Sequence, residues 1–303
     1  MSSKNSIYEE KTIYAIYKSF FTPALRPAFN KTIPSIFYNF FLRQYHAAFM
    51  KRIPVTNVEH PLDKKIPFVP AWITIYFDFI QFWVRMLSFF LREYKHKAYP
   101  PVKEFIDSIG RLYAFAAEVY KQNLSTTKRP FYIARPRFFL IHLVDPHLMC
   151  IPSLHVMLAI RTYTMCSVIA RKLGIENELK EKIIEMKQGA LAISQAVLFV
   201  KQHSVNCIPA ALYAMTCFDP ENFPASEAED FTMRLFSPAP DAGKMPQGCR
   251  VHPAASPPVK IQEDDQILIK NHILSLYRRF LNEKETAESW CEVLVKFLRE
   301  YNQ

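Results

Sequence analysis

Residues 188–218, QGALAISQAVLFVKQHSVNCIPAALYAMTCF, run for 31 positions with Lys201 as the only full charge. That is too long for one buried strand, and its length suits two apolar helical spans joined by a tight turn near His203. Working outward, residues 146–170 carry only Arg161 as a full charge, besides two histidines. Residues 66–91, IPFVPAWITIYFDFIQFWVRMLSFFL, are long enough to span a bilayer but contain Asp78 and Arg85. Two weaker apolar stretches lie at 33–50 and 109–120. These segments predict an all-α fold, a multi-pass transmembrane bundle of about six helices in an integral membrane protein. Charges inside such a bundle are expensive, so Asp78 and Arg85 are expected to face its interior. A water-soluble helical protein with buried apolar helices is the alternative, and the near-neutral mean hydropathy of −0.04 favours it.

Composition narrows the function less than the fold. The chain has 303 residues, 22 prolines, 5 glycines and a formal net charge of +10. Half the residues are hydrophobic, which excludes global disorder. A basic balance suits an anionic membrane surface, a phosphate-bearing substrate or nucleic acid. Aromatic residues sit in long apolar runs rather than along a basic stripe, which argues against nucleic acid. Six scattered cysteines form no CxxC pair, so no zinc ribbon and no disulfide framework is expected. The polar first fourteen residues do not resemble a cleavable signal peptide. Four regions are expected: an N-terminal amphipathic segment at 1–30, a membrane-embedded helical domain at 31–218, a proline-rich, partly disordered linker at 219–262 and C-terminal amphipathic helices at 263–303. The oligomeric state is not legible.

Three short elements carry candidate chemistry. The first, KRPFYIARP at 128–136, places Lys128 and Arg135 with six residues between them. Arg offers a planar fork of donors for phosphate oxygens and Lys a compact charge. A basic loop can also be merely solvated. The second, PSLH at 152–155, opens an apolar helix. Ser153 would stand at its N-terminus, where a hydroxyl and free N–H groups hold anions, and His155 can transfer a proton near neutral pH. The bland reading of His155 is a hydrogen-bonded core histidine. The third, KQH at 201–203, puts Lys201 and His203 between two apolar runs, where a plain polar turn is the alternative.

In this order the three elements resemble the signature of the type 2 phosphatidic acid phosphatase superfamily: K-x6-RP, then PS-x-H, then an element ending in H-x3-D. The flanking IPFVPAWITIY at 66–76 and Asp145-Pro146 are similar to the inositol phosphorylceramide synthase-like branch. The resemblance covers roughly residues 60–215. It implies a phosphate pocket at a membrane surface. His203 would attack phosphorus, His155 would protonate the leaving oxygen, and Lys128, Arg135 and Ser153 would hold the phosphoryl oxygens. It implies a lipid phosphate as substrate, membrane lipids as surroundings, and no cofactor or metal. The third element departs from the pattern: Cys207 stands where the family has Asp, Ala196 where many members have Ser, and Val197 where Arg is frequent. Loss of a carboxylate behind a catalytic imidazole costs roughly 10⁴ in rate in another His–Asp system. Asn206, Asp145 or Asp78 could supply a substitute, with Lys201 also in support. An active phosphatase or phosphotransferase and a non-catalytic relative with a phosphate pocket are therefore both open.

Overall fold

The computed structural model describes residues 6–237 and 259–301. Within them the fold is all-helical apart from two three-residue strands. The helices are α1 (Thr12–Phe21), α2 (Arg26–Ile36), α3 (Arg43–Met50), α4 (Ile73–Glu93), α5 (Tyr99–Tyr120) and α6 (Pro136–Val144). They continue with α7 (Leu154–Lys172), α8 (Lys180–Phe199), α9 (Cys207–Phe218), α10 (Ala225–Arg234), α11 (Glu263–Lys284) and α12 (Trp290–Glu300).

The centre is α7, which is buried on almost every side and packs against α4, α5, α8 and α9. A helix apolar all round has nowhere to go but a core. Its one charge ahead of the last turn, Arg161, is buried beside the Asp219 carboxylate at the end of α9, and its Nε donates to Ser108 Oγ at 3.0 Å. The pairing lets a guanidinium sit in the interior. Asp78 and Arg85 of α4 pair with each other, at 2.7 Å.

Around this core lie two further layers. Helices α1 and α2 pack on α4 and α5, and a π-helical stretch at Phe37–Leu42 carries α2 into α3. On the other side α11 packs on α9, and α12 on α5, α9 and α11. The strands β1 (Val55–Asn57) and β2 (Leu124–Thr126) pair in parallel, Thr56 opposite Ser125. Three residues are too few to show an alternating pattern, which is why this sheet was not expected.

Helix ends follow local rules. Pro136 begins α6 after an extended Arg135, a position where a missing N–H costs nothing. Between α8 and α9, Lys201 adopts a left-handed φ of 54°, and Val197 O accepts from the N–H groups of both Gln202 and His203 at 3.1 Å. This closes the tight turn expected near His203.

Two expectations are met only in part. Among the described residues only one helical segment, Pro70–Glu93, is long and apolar enough to cross a membrane, and most of its apolar window is buried within the protein. The bundle of about six spans is not supported, because α8 opens with a charged half, Lys180–Lys187, and α9 has only 12 residues. The segment 219–262 is not all linker. Phe223, Ala228, Phe231 and Leu235 are fully buried around α10, an apolar spacing hidden among acidic neighbours. Residues 238–258 of the expected linker lie outside the described residues.

Candidate functional site

Strand β2 organises one wall. Ser125 exchanges backbone hydrogen bonds with the 148–150 segment, and its hydroxyl accepts from Ile151 N–H at 2.7 Å. This aligns Thr127 with His147, whose Nε2 lies 2.8 Å from Thr127 Oγ1, and sets Ser153 at the start of α7. Ser153 does not cap its own helix with its hydroxyl. The hydroxyl turns instead toward His203, with Oγ 3.4 Å from Nε2.

The opposite wall is the α8–α9 turn. Lys201 Nζ donates to the carbonyl oxygens of Asp63 and Ile66, the latter at 2.5 Å, and Val205 N–H donates to Asp63 Oδ1 at 2.7 Å. Three bonds thus fasten the turn to the 63–66 loop. The His155 and His203 rings stand 5.5 Å apart, centroid to centroid, and His147 lies 6.5 Å from His203. His155 is held between Tyr76, stacked at 4.3 Å, and Phe79 at 4.1 Å. A cleft of about 730 Å³ opens above, lined by Lys128, Thr127, Phe68, Lys201, Ser204 and His203 among others. That volume holds a ligand of ordinary size.

Electrostatics favour neutral imidazoles. Burial, with His155 and His147 adding to it, holds His203 well below the usual histidine range; Asp145 and the Cys150 backbone oppose this only in part. Burial pushes His155 down to about 4. His203 Nδ1 is buried and has no hydrogen-bond partner. Cys207 does not take the place of a carboxylate, since burial pushes its thiol far up and keeps it protonated.

The expected residues divide into two groups. Lys128 and His203 line the cleft, and Ser153 and His155 lie against His203 without lining it. Arg135 does not line it and is exposed at the head of α6. Lys201 lines the rim, but its ammonium is occupied by two carbonyl groups. Asp145 does not bond His203. Its Oδ1 accepts from Gln44 Nε2 at 2.7 Å and from His147 N–H at 2.9 Å. Its Oδ2 lies 3.4 Å from Arg129 Nη1. Burial alone would raise this carboxyl, but bonds from His147 and the charge of Arg129 bring it down to about 2. Asp78 is engaged with Arg85. Asn206 is turned away, its amide donating to Val58 O and the Tyr301 hydroxyl and its Oδ1 lying 2.8 Å from His272 Nε2.

Sequence reasoning missed Arg129 and His147. Arg129 lies 3.4 Å from Gln202 Oε1 and donates to Asp145 O at 3.0 Å, bracing the basic loop against the His203 turn. It sits inside KRPFYIARP, next to the residue that was singled out. His147 follows Asp145-Pro146, and its closeness to His203 had no signal in spacing. Among the described residues no three His, Cys, Asp or Glu side chains are grouped to hold a metal ion. Comparison with family models, curated proteins and solved structures finds no match to this chain.

Proposed function

We propose that this chain transfers or hydrolyses the phosphoryl group of a lipid phosphate or phosphodiester, with His203 as the nucleophile. What supports the reading most is the meeting of Ser153 Oγ, His155 and His203 beneath a cleft carrying Lys128. In this reaction the Nε2 lone pair of His203 attacks phosphorus while Nδ1 keeps its proton. The P–O bond to the alcohol breaks, and His155, neutral in the free protein, takes up a proton as the phosphate anion binds beside it and gives that proton to the departing oxygen. Lys128, the Ser153 hydroxyl and the first N–H groups of α7 meet the charge on the phosphoryl oxygens. Water, or a second alcohol, then displaces His203 from phosphorus and returns a proton to His155. A nucleophilic imidazole must be neutral, and burial of His203 ensures that near pH 7. The reading needs a lipid headgroup to reach the cleft, not a chain that crosses the bilayer several times.

A second reading, a phosphate-binding protein without turnover, is favoured by one observation. His203 Nδ1 bonds no carboxylate, so only the Cys150 backbone and the more distant Asp145 favour an imidazolium-like phosphohistidine. Turnover of a panel of lipid phosphates, with His203→Ala as control, separates the two. Phosphate release together with an acid-labile phosphohistidine at position 203 supports catalysis. Binding of phosphate by both proteins without release by either supports the second reading, and equal release by both sinks the first.

A further inference from the structure

Helices α1–α3 are built inside out. Their buried positions are small or polar: Ala15, Ser19, Ala28, Thr32, Gln44 and Ala47. Their large apolar side chains point outward, and Ile13 is 67 % and Phe49 82 % exposed. Of the 25 large hydrophobic side chains exposed among the described residues, 13 lie between Ile13 and Met50. Six more lie between Phe131 and Val144, on α6 and the loop before it. The two sets meet where Tyr45 donates to Val144 O at 2.5 Å and Gln44 to Asp145. A helix on a water-facing layer does the reverse, burying its bulky stripe. Small inward residues also let backbones approach closely, as helices do in lipid. A Cβ on Gly110 of α5 would come within 3.0 Å of Thr32 Oγ1, and Thr32 and Ser35 both donate to α5 carbonyl oxygens at 2.8 Å.

The charge on this face has one sign. Residues 11–58 contain seven Lys and Arg and no Asp or Glu. Residues 127–144 contain four and again none. Apolar residues rimmed by cations without anions match the acyl boundary and headgroups of an anionic bilayer. A protein partner would need a strongly acidic rim around an apolar centre, and a second copy of this chain would bring like charges together.

We infer that α1–α3 and α6 form one lipid-docking face that lies in the interface of an anionic membrane. Exposed aromatics and aliphatics enter the headgroup–acyl boundary, and Arg26, Lys31, Lys51 and Arg52 contact anionic headgroups. The C-terminal end of α6 leads directly into Asp145 and His147, so docking sets the candidate site beside the lipid surface. The inference stands whether or not His203 turns over a substrate.

Vesicle co-sedimentation of the full chain tests it. The chain is expected to partition into phosphatidylcholine vesicles containing phosphatidylserine at least about tenfold better than into phosphatidylcholine alone, and less well at high salt. Combined Ile13→Ser, Phe49→Ser and Leu143→Ser is expected to weaken partition about tenfold or more, with thermal unfolding unchanged. Combined Arg26→Gln, Lys31→Gln, Lys51→Gln and Arg52→Gln should remove the preference for phosphatidylserine. Wild-type chain that ignores both vesicles, or a triple serine variant that binds as well as wild type, overturns the inference. So does a concentration-dependent dimer that the triple variant abolishes, since a second copy would then cover the face. None of these outcomes depends on turnover, so they are read separately from the His203→Ala result.

Discussion

Helices α7 and α2 hide opposite parts of their sequences. In α7 the leucines, isoleucines and methionines are inside, and the buried Arg161 is neutralised by Asp219. In α2 the alanine and threonine are inside, while Ile33 and neighbouring Phe37 are 44 % and 53 % exposed. Both regions are rich in apolar residues, yet only one uses them to fold. The difference teaches that apolar content divides between a core and a surface, and that composition averaged along the chain cannot assign the shares. In the α7 region each bulky side chain is part of the folding free energy. In α1–α3 it is free energy held for contact with something outside the chain.

Substitutions in the two regions should therefore separate cleanly. The largest effect is expected at the turn that the core holds in place. His203→Asn should lower turnover by at least about 10³-fold, measured as phosphate release, while Phe49→Ser leaves turnover of a water-soluble ester within about twofold. Next comes packing: Phe82→Ala, at a side chain only 1 % exposed, should cost about 3–5 kcal/mol in chemical denaturation.

Acid should act on the core as well. His155 sits near 4 in the folded protein against an ordinary 6.5, so the unfolded chain binds more protons between those values. Stability is then full above pH 6.5 and falls as pH drops toward 4, by up to about 3 kcal/mol from this one group. Replacing His155 with Phe should flatten that part of the pH–stability curve. A smaller effect is expected at Gly189 of α8, where an added Cβ would lie 2.5 Å from the Phe82 ring. Gly189→Ala should destabilise by about 1–3 kcal/mol. The smallest is Phe49→Ser itself, whose effect on folding in water should stay within about 0.5 kcal/mol. If Phe49→Ser and Phe82→Ala cost the same, the contrast between the regions fails.

Much of the candidate site was legible because its pieces are local. An apolar run broken once, at KQH, reads as helix–turn–helix, and α8, the turn and α9 follow that reading. Ser153 before an apolar helix reads as a helix start. What was not legible depends on which elements meet. Asp145 was a free carboxylate in the sequence, but in the fold Gln44, His147 and Arg129 claim it. Asn206 was a neighbour of His203, and the C-terminal helices turn it away. The inverted layer escaped for a different reason. Periodicity finds the apolar face of a helix only when the other face is polar, and Ile33–Met50 mixes alanine, phenylalanine and tyrosine on every side. The short strands and α10 were hidden by brevity and by proline-rich surroundings.

The hydroxyl of Tyr301 donates to Glu59 O at 2.5 Å and accepts from Asn206 Nδ2 at 2.7 Å, and Thr56 Oγ1 donates to Leu298 O at 2.9 Å. Partners that close the rim of the cleft are thus 242 residues apart in the chain. Asn206 stands three residues beyond His203, so the candidate nucleophile's own turn is braced by a residue synthesised 95 positions after Asn206. While the polypeptide is still on the ribosome, its motifs have all emerged but their support has not. The candidate site is completed only when synthesis has passed Tyr301 and α12 has docked. A nascent chain carries the residues of the candidate site before it can hold them in place.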